Sequence, residues 1–215
     1  MNKKKILLVG SANMDFSMNV YRVPEAGETV LDDGGVAYTP GGKGANSAIA
    51  VHKLGGECVF AAKLGADAHG QKLFNYYKEI GINTSYIKVD HDRPTGLSVV
   101  IREADGQNRI VVYPGANSNI TNEGILEAFE CQPDAVYLGF EIPFSAALSA
   151  AKIAAAVDAG ILGCDMYWEH QQFYGGDGIV TKGVDKTVIN VGILAREGMR
   201  ETDKTILQIM LSDGE

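Results

Sequence analysis

Short apolar runs alternate with amphipathic segments along the first 160 residues of the chain. Runs such as Ile6–Gly10, Cys58–Ala62 and Asp134–Gly139 have the continuous apolar character of buried strands in a parallel sheet. Helical spacing of apolar residues follows such runs, most clearly in His69–Ile80 and in the alanine-rich segment Phe144–Ala159. The repeated order of strand, loop and helix predicts a doubly wound α/β fold with a mainly parallel sheet.

A second pattern, of short β-like runs and turns, interrupts this alternation twice. Ser17–Tyr21 and Thr29–Leu31 surround a stretch containing proline and glycine, which predicts edge strands. Leu97–Ile101 and Arg109–Tyr113 flank an Asp-Gly pair, which is a strong signal for a hairpin. These strands predict an antiparallel appendage on the parallel core. It is interpreted either as a lid that excludes water from a site or as a plain extension of the sheet.

A glycine-rich turn leads into a helix in the segment 39–48, Thr-Pro-Gly-Gly-Lys-Gly-Ala-Asn-Ser-Ala. Its spacing matches neither a P-loop nor a dinucleotide-binding fingerprint. Lys43 and Asn46 stand at the start of the helix, where free N–H groups point outward and side chains can face a ligand. The alternative is a turn that only lets the helix pack closely on a strand.

Polar residues follow two of the predicted strands at their carboxyl ends. Asn13 and Asp15 come after the first strand, and Glu141 comes after the strand that ends at Gly139. Because ligands bind at this edge of open α/β sheets, the three residues are candidates for a binding site. For Asn13 and Asp15 the alternative is an Asx-type turn that satisfies only local backbone.

The composition excludes several classes of partner and site. The net charge of −8 argues against a nucleic-acid partner, and no apolar run approaches the ~20 residues of a membrane span, so no membrane partner is expected. Three widely spaced cysteines, Cys58, Cys131 and Cys164, fit reduced thiols in a cytoplasmic protein better than disulfides or a zinc site.

Seven short motifs, in the same order and at the same spacing, resemble the ribokinase-like (PfkB) carbohydrate kinase family. They are Gly-Ser-Ala-Asn-Met-Asp at 10–15, Pro-Glu-Ala-Gly-Glu-Thr at 24–29, Gly-Gly-Lys-Gly-Ala-Asn at 41–46, Leu-Gly-Ala-Asp-Ala-His-Gly at 64–70, Pro-Thr-Gly at 94–96, Gly-Ala-Asn at 115–117 and Glu141. The resemblance covers residues 4–162. It implies a three-layer α/β core and a small β-sheet lid, with lid strands at about 16–38 and 95–113. Family members often pair through this lid, so a homodimer is expected.

The resemblance also implies a reaction, the ATP-dependent phosphorylation of a small sugar of the ribose type, with ATP and Mg²⁺ as cofactors. A nucleoside kinase is the alternative within the enzyme class. The substrate-binding residues implied are Asn13, Asp15, Gly42, Lys43, Asn46 and Glu141, and Thr95 and Gly96 would belong to the lid strand over the substrate. Carboxylates and amides are suitable for this role because together they accept from and donate to sugar hydroxyls.

The resemblance stops beyond Gly163, so that residues 163–215 form a divergent segment. The family's Gly-Ala-Gly-Asp motif, which supplies the catalytic base, and its Asn-Glu motif, which serves the metal, do not occur in the sequence. The catalytic base is therefore not identified. Asp177 is interpreted as part of a glycine turn, and the cluster Asp165, Glu169 and His170 as a solvated loop rather than a metal site.

The divergent segment still carries structural signals, a strand at Thr187–Val191 and a helix at Thr202–Leu211. Three explanations for it are open: a natural short form, a truncated or frameshifted reading, or a rewritten second half. The abrupt change at Gly163 favours a disrupted reading frame. A non-catalytic or vestigial sugar-binding protein is therefore the alternative to a sugar kinase.

Overall fold

The computed structural model describes residues 4–31, 34–139, 141–157, 159–168, 171–174, 178–181 and 187–190, with the backbone alone from residue 160 onward. The strands in chain order are β1 (Lys5–Val9), β2 (Asn13–Val20), β3 (Val36–Gly41), β4 (Glu57–Gly65), β5 (Ile87–Asp90), β6 (Gly96–Glu103), β7 (Asn108–Tyr113), β8 (Ala135–Gly139), β9 (Gly160–Trp168), β10 (Gln171–Tyr174), β11 (Gly178–Thr181) and β12 (Thr187–Asn190). The helices are α1 (Lys43–Lys53), α2 (Ala68–Glu79), α3 (Asn122–Ala128) and α4 (Phe144–Ala156), with 3₁₀ turns at Gly115–Asn119 and Phe129–Cys131.

The central sheet has the strand order β12-β9-β8-β1-β4-β5. Strand β1 pairs in parallel with β4 and β8, the outer pairs β4–β5 and β8–β9 are also parallel, and only β12 joins the described sheet antiparallel. The α/β fold with a mainly parallel sheet that the apolar pattern predicts is therefore confirmed. None of the helices in the described parts of the chain is long and apolar enough to cross a membrane.

Helices cover both faces of this sheet, which explains why its strands read as continuous apolar runs. Leu7 and Val9 of β1 face a core built with α3 and α4, whereas Leu8 between them faces a second core built with α1 and α2. The three side chains are fully buried. The result is a three-layer sandwich in which successive residues of one strand serve opposite cores.

A second sheet, with the order β3-β2-β6-β7, forms the predicted appendage. The hairpin β6–β7 confirms the Asp-Gly signal, and β2–β3 is also antiparallel. The prediction of a wholly antiparallel appendage is wrong at the centre of this sheet, because β2 and β6 pair in parallel. β2 follows β1 in the chain and β6 follows β5. Because β1 and β5 are parallel strands of the central sheet, β2 and β6 leave it in the same direction.

The segment before the glycine-rich turn also departs from the sequence prediction. Thr29–Leu31 is not a strand; the partner of β2 is β3, which runs as far as Gly41. Asn13 and Asp15 lie inside β2, where they pair with β3 and β6, and so they do not form an Asx-type turn. The apolar pattern misplaced these bounds because the residues of β3 are largely exposed.

Few of the predictions for the divergent segment fall on described residues. The strand predicted at Thr187–Val191 is confirmed as β12. The interpretation of Asp165 as part of a solvated loop is wrong, because this residue lies in β9 and pairs with Gly139 of the central sheet. Glu169, His170, Asp177 and the helix predicted at 202–211 lie outside the described residues.

Candidate functional site

A carboxylate, Glu141, connects three elements at the carboxyl edge of the central sheet. Its Oε2 accepts hydrogen bonds from the Ser11 hydroxyl at 2.7 Å and from the backbone N–H of Lys43 at 3.1 Å. The Lys43 Nζ atom lies 3.2 Å from Glu141 Oε1, and both side chains remain partly exposed. The segments after β1 and β8 and the start of α1 therefore meet around an ion pair that a ligand can reach.

Two glycines at the start of α1 are required for different structural reasons. A Cβ on Gly44 would lie 2.7 Å from the Gly10 Cα atom, so this glycine lets α1 begin directly against the end of β1. Close packing, one of the two interpretations of the sequence, is therefore correct for Gly44. Gly42 has a φ of +88° and lies against the backbone of Ser11 and Asn13. It forms the floor between β2 and the helix start.

Asp15 projects over this floor from β2. A Cβ on Gly41 would lie 2.1 Å from the Asp15 carboxylate, so the carboxylate occupies the space that this glycine leaves open. Burial raises the pKa of Asp15, a hydrogen bond from Ser98 opposes this effect, and the negative charge of Glu141 reinforces it. The Oδ1 atom of Asp15 is buried and has no hydrogen-bond partner.

Asn13 lies at the start of the same strand and is almost fully buried. Its Oδ1 accepts from the Asn117 amide at 2.7 Å, and its Nδ2 lies 3.4 Å from the Ser98 hydroxyl. Because Ser98 also bonds to Asp15, the side chains of Asn13 and Asp15 are joined through one serine on β6.

Thr95 and Gly96 were both predicted to lie in the lid strand, but β6 begins at Gly96 and Thr95 precedes it. Gly96 is the first residue of β6, beside Asn13 and Asn117. The Thr95 hydroxyl accepts from the backbone N–H of Gly65 at 3.0 Å and donates to Asp67 at 2.8 Å, while its own N–H donates to Asp67 at 2.7 Å. Thr95 is 3% exposed, so it anchors the lid strand to the core.

Asn46 lies one helical turn beyond Lys43 on α1 and has an exposed side chain. The described hydrogen bonds and ion pairs form two groups, Asn13 with Asp15 at Ser98 and Lys43 with Glu141, and Asn46 belongs to neither. The structure thus brings together five of the six predicted substrate-binding residues around Gly42, with Asn46 at the margin.

Sequence reasoning missed three residues that hold this cluster together, Ser11, Ser98 and Asn117. Ser11 orients Glu141, and the other two contact Asn13. Ser98 did leave a signal, since it is a lone polar residue among Leu97, Val99 and other apolar residues of a strand. Ser11 and Asn117 lay within recognised motifs, but nothing in those motifs distinguishes a ligand contact from a supporting one.

The chemistry of these side chains fits an uncharged polyhydroxylated ligand. The site carries two carboxylates, Asp15 and Glu141; the ammonium of Lys43 is already paired with Glu141, and the charge of Arg102 acts on Asp15 as the weakest of the effects on its pKa. A nucleoside triphosphate with its metal needs several cations or N–H donors, so the described residues do not fit it. Among the residues that the structure describes, no group of three or more His, Cys, Asp or Glu side chains could hold a metal ion.

Known proteins resemble the chain over its kinase-like part. Ribokinase of Staphylococcus aureus is 35% identical over 154 residues, which cover 71% of this chain and 51% of that protein. The structure of Arabidopsis thaliana ribokinase complexed with ribose and ATP superposes with a TM-score of 0.66 at 32% identity, covering 77% of this chain and 54% of that one. The chain therefore spans about half the length of these relatives.

A relative with another family designation matches a shorter part of the chain. The UPF0597 protein of Desulfitobacterium hafniense is 65% identical over 63 residues, which are 29% of this chain and 15% of that protein. The family model for pfkB carbohydrate kinases matches residues 3–159. With most of its length matched by that model, the chain belongs to the PfkB family of carbohydrate kinases.

Proposed function

We propose that this chain carries the sugar-binding half of a ribose-type carbohydrate kinase, in which the bound sugar would be phosphorylated at the expense of ATP. The observation that carries the proposal is the convergence of Asn13, Asp15, Lys43 and Glu141 over the glycine floor at Gly42. The similarity to ribokinases, one of which was solved with ribose and ATP, supports ribose as the first sugar to test.

The site can recognise neighbouring hydroxyls through complementary groups. A hydroxyl can donate to the partly exposed carboxylate of Asp15 and accept from the amide of Asn13. A second hydroxyl can accept from the Lys43 ammonium and donate to the Glu141 carboxylate, since both side chains are partly exposed. Charged partners make these hydrogen bonds short and directional, which is how a protein selects among sugars.

Phosphoryl transfer requires more than this site. It needs a base at the attacking hydroxyl, donors for the phosphate charge and Mg²⁺ on the phosphate oxygens. ATP and Mg²⁺ would supply the transferred group and its charge neutralisation, but no described residue fits them, and the sequence lacks the family's Gly-Ala-Gly-Asp motif. This lack favours a second candidate function, a non-catalytic sugar-binding protein derived from a kinase.

Two measurements on the full chain separate the candidates. An assay of ADP release with ribose, ATP and Mg²⁺ measures turnover, and calorimetry with ribose alone measures binding. Turnover supports the kinase, and binding without turnover supports the sugar-binding protein. A parallel titration with adenosine tests the nucleoside alternative, which would give tighter binding than ribose.

A matched pair of variants ties either result to the proposed site. Lys43→Ala should weaken ribose binding by about ten-fold or more, because it removes the cation beside Glu141. Lys88→Ala removes an exposed lysine that pairs with Glu127 and should leave ribose binding unchanged. If the chain binds no ribose, or if Lys43→Ala plus Asn46→Ala changes nothing, the site assignment is wrong.

We further propose that two copies pair through the lid sheet, whose edge strand β7 is exposed along its whole length with four large apolar side chains. We also expect a reducing, cytoplasmic setting, because Cys58 and Cys131 are free thiols in the part of the chain that the structure describes. The net charge of −8 again favours partners other than nucleic acid or an anionic membrane surface.

A further inference from the structure

Neighbouring backbone and side-chain groups fix the orientation of the Asn117 side-chain amide. The side chain is 1% exposed, and its Oδ1 accepts from the backbone N–H of Ala12 at 2.9 Å. Its Nδ2 faces three acceptor oxygens: Asn13 Oδ1 at 2.7 Å, the Pro114 carbonyl oxygen at 2.9 Å and the Ala12 carbonyl oxygen at 3.3 Å. Rotating the amide by 180° would set oxygen against three oxygens and amino hydrogens against an N–H, so only one orientation is allowed.

This orientation determines that of Asn13. Since Asn117 donates to Asn13 Oδ1, the amino group of Asn13 must point the other way, toward the Ser98 hydroxyl. The space for this contact exists because residue 96 is glycine: a Cβ there would lie 2.2 Å from Asn13 Oδ1 and 2.4 Å from Asn117 Nδ2. The contact between the two asparagines therefore depends on the first residue of β6.

The same direction of hydrogen-bond donation continues from Asn13 through Ser98 to Asp15. Ser98 accepts from Asn13, so its hydroxyl proton is free for Asp15, which lies opposite Ser98 in the register of β2 and β6 and whose pKa Ser98 lowers. One donor from each of Asn117, Asn13 and Ser98 is thus directed along the series toward Asp15, whose Oδ1 is left without a partner. The cluster presents amide donors from Asn13 beside a carboxylate acceptor, a pattern that matches one hydroxyl group.

We propose that Asn117 is a positioning residue of the sugar site: through Asn13 and Ser98 it fixes which donors and acceptors the site presents to its ligand. The proposal rests on the proposed function for its ligand, but the hydrogen-bond geometry exists without one. Asn117 itself contacts no ligand in this scheme, since its four polar contacts are all made to protein atoms.

A double-mutant cycle on ribose affinity tests this role. Asn117→Ala should weaken ribose binding by about ten-fold, but should cause no further loss in an Asn13→Ala background, because Asn117 acts through Asn13. Asn119→Ala is the matched control; it lies in the same 3₁₀ turn but bonds to Asp90, and it should leave ribose affinity within about two-fold. Equal losses from Asn117→Ala in both backgrounds would overturn the proposal, because they indicate a merely structural role.

A measurement without sugar keeps the proposal testable if ribose does not bind. The side-chain amide signals of Asn13, assigned by their disappearance in Asn13→Ala, should shift in Asn117→Ala and stay in place in Asn119→Ala. If they do not move in Asn117→Ala, the proposal fails. If they move while the wild-type chain binds no ribose, the proposed ligand is wrong and the positioning contact stands.

An independent observation concerns the residues after the kinase-like part. The kinase family model ends at residue 159, whereas the UPF0597 similarity covers 63 residues, or 29% of the chain. All seven kinase motifs lie before residue 142, whereas none occurs beyond it. A 63-residue match placed within this part of the chain would begin between residues 142 and 153, just before α4 or within it.

We infer that the UPF0597 match lies in this part of the chain, so that two families join near α4 and the residues beyond 159, where the kinase family model ends, are related to the UPF0597 protein and not to a kinase. This accounts for the poor fit of ATP to the residues present. A disrupted reading frame does not account for it, because a shifted frame would not be 65% identical to another protein. The sheet changes character nearby: β9 pairs with β8 through an irregular register, and β12 follows antiparallel.

The inference has a direct check and a functional one. Residues 142–215 and 1–141 are aligned separately with the UPF0597 protein, and a match of comparable identity within 1–141 would overturn the inference. Calorimetric titration of the full chain with ATP and Mg²⁺ should show no saturable binding. Saturable ATP binding would show that the carboxyl-terminal segment does the work of a kinase, and the inference would then be wrong whether or not ribose binds.

Discussion

The Asp15 side chain is held in a position that suits a ligand better than it suits the free protein. Its carboxylate is half-buried, one oxygen has no partner, and the Glu141 charge is close enough to raise its pKa. The neighbouring groups that could relieve this, Ser98 and Arg102, do so only in part. A binding site that leaves an acceptor unpaired in this way loses some stability and gains a strong contact when a hydroxyl arrives.

We therefore expect Asp15→Asn to stabilise the free protein while it abolishes tight ribose binding. The gain at neutral pH should be about 1 kcal/mol, because an uncharged amide costs less to bury than a carboxylate and is not repelled by Glu141. Because the folded pKa lies above the unfolded value of 3.8, the folded state holds more protons between the two, and wild-type stability falls as pH rises through that window. Urea unfolding at a series of pH values measures both effects; a variant less stable than wild type at pH 7 would contradict this account.

The Asp15 carboxylate occupies the space that a side chain at residue 41 would need. In Gly41→Ala the new methyl group would lie 2.1–2.2 Å from the carboxylate atoms, so Asp15 must move away from the floor. Ribose affinity should fall by about ten-fold or more, with the fold retained because Gly41 does not need a positive φ. Gly124→Ala is the control: its nearest neighbour would be 3.6 Å away, in a helix that favours alanine. Calorimetry compares the two, and similar affinities would refute the steric argument.

Among the elements, the lid strand β6 depends on a carboxylate in a different loop. Asp67 accepts from the N–H and hydroxyl of Thr95 and, as the cap of α2, from the N–H of Gly70. Burial alone would raise the pKa of Asp67, but these hydrogen bonds outweigh it and the pKa is lowered. One side chain thereby fixes both the start of a helix and the start of the lid.

Asp67→Asn should therefore loosen the lid and destabilise the fold by about 1–3 kcal/mol, because the amide nitrogen would face a donor. Since the pKa of Asp67 is lowered in the folded state, its contribution is complete above the unfolded value of 3.8 and is lost as pH falls through the folded pKa. The variant should accordingly lose less stability on acidification than wild type does. Urea unfolding at neutral and acidic pH compares the two slopes, and parallel slopes would rule out this role for Asp67.

How far the sequence predicts these elements depends on what buries them. The continuous apolar strands β1, β4 and β8 were recognised because both of their faces are covered. Strand β3 was misplaced because its residues are exposed, so no burial pattern marks it. Asn13, Asp15 and Glu141 were found from their places after strands, whereas the role of Asn117 arises from contacts across more than 100 positions of sequence, which no local pattern encodes.

The second sheet has two exposed edge strands, and β7 is the edge that is exposed along its whole length. In register, Ile110 pairs with Val100 and Val112 with Ser98, so Ile110 and Val112 lie on the same sheet face as Ser98, the partner of Asp15. Both are about half exposed, while Val111 points to the opposite face. Apolar side chains left in water beside a polar site suggest a surface that a second copy covers, which would also shield the sugar from water.

We expect the protein to be a dimer at micromolar concentration and the double variant Ile110→Lys, Val112→Lys to be monomeric, because pairing would then bury four unpaired ammonium groups. Val111→Lys adds a charge to the same strand on the other face, so it should remain dimeric. Light scattering coupled to size-exclusion chromatography gives the mass of each. A monomeric wild-type protein, or dissociation by Val111→Lys alone, would place the interface elsewhere. The monomeric variant should also bind ribose more weakly, since the face beside Ser98 would then stay open to solvent.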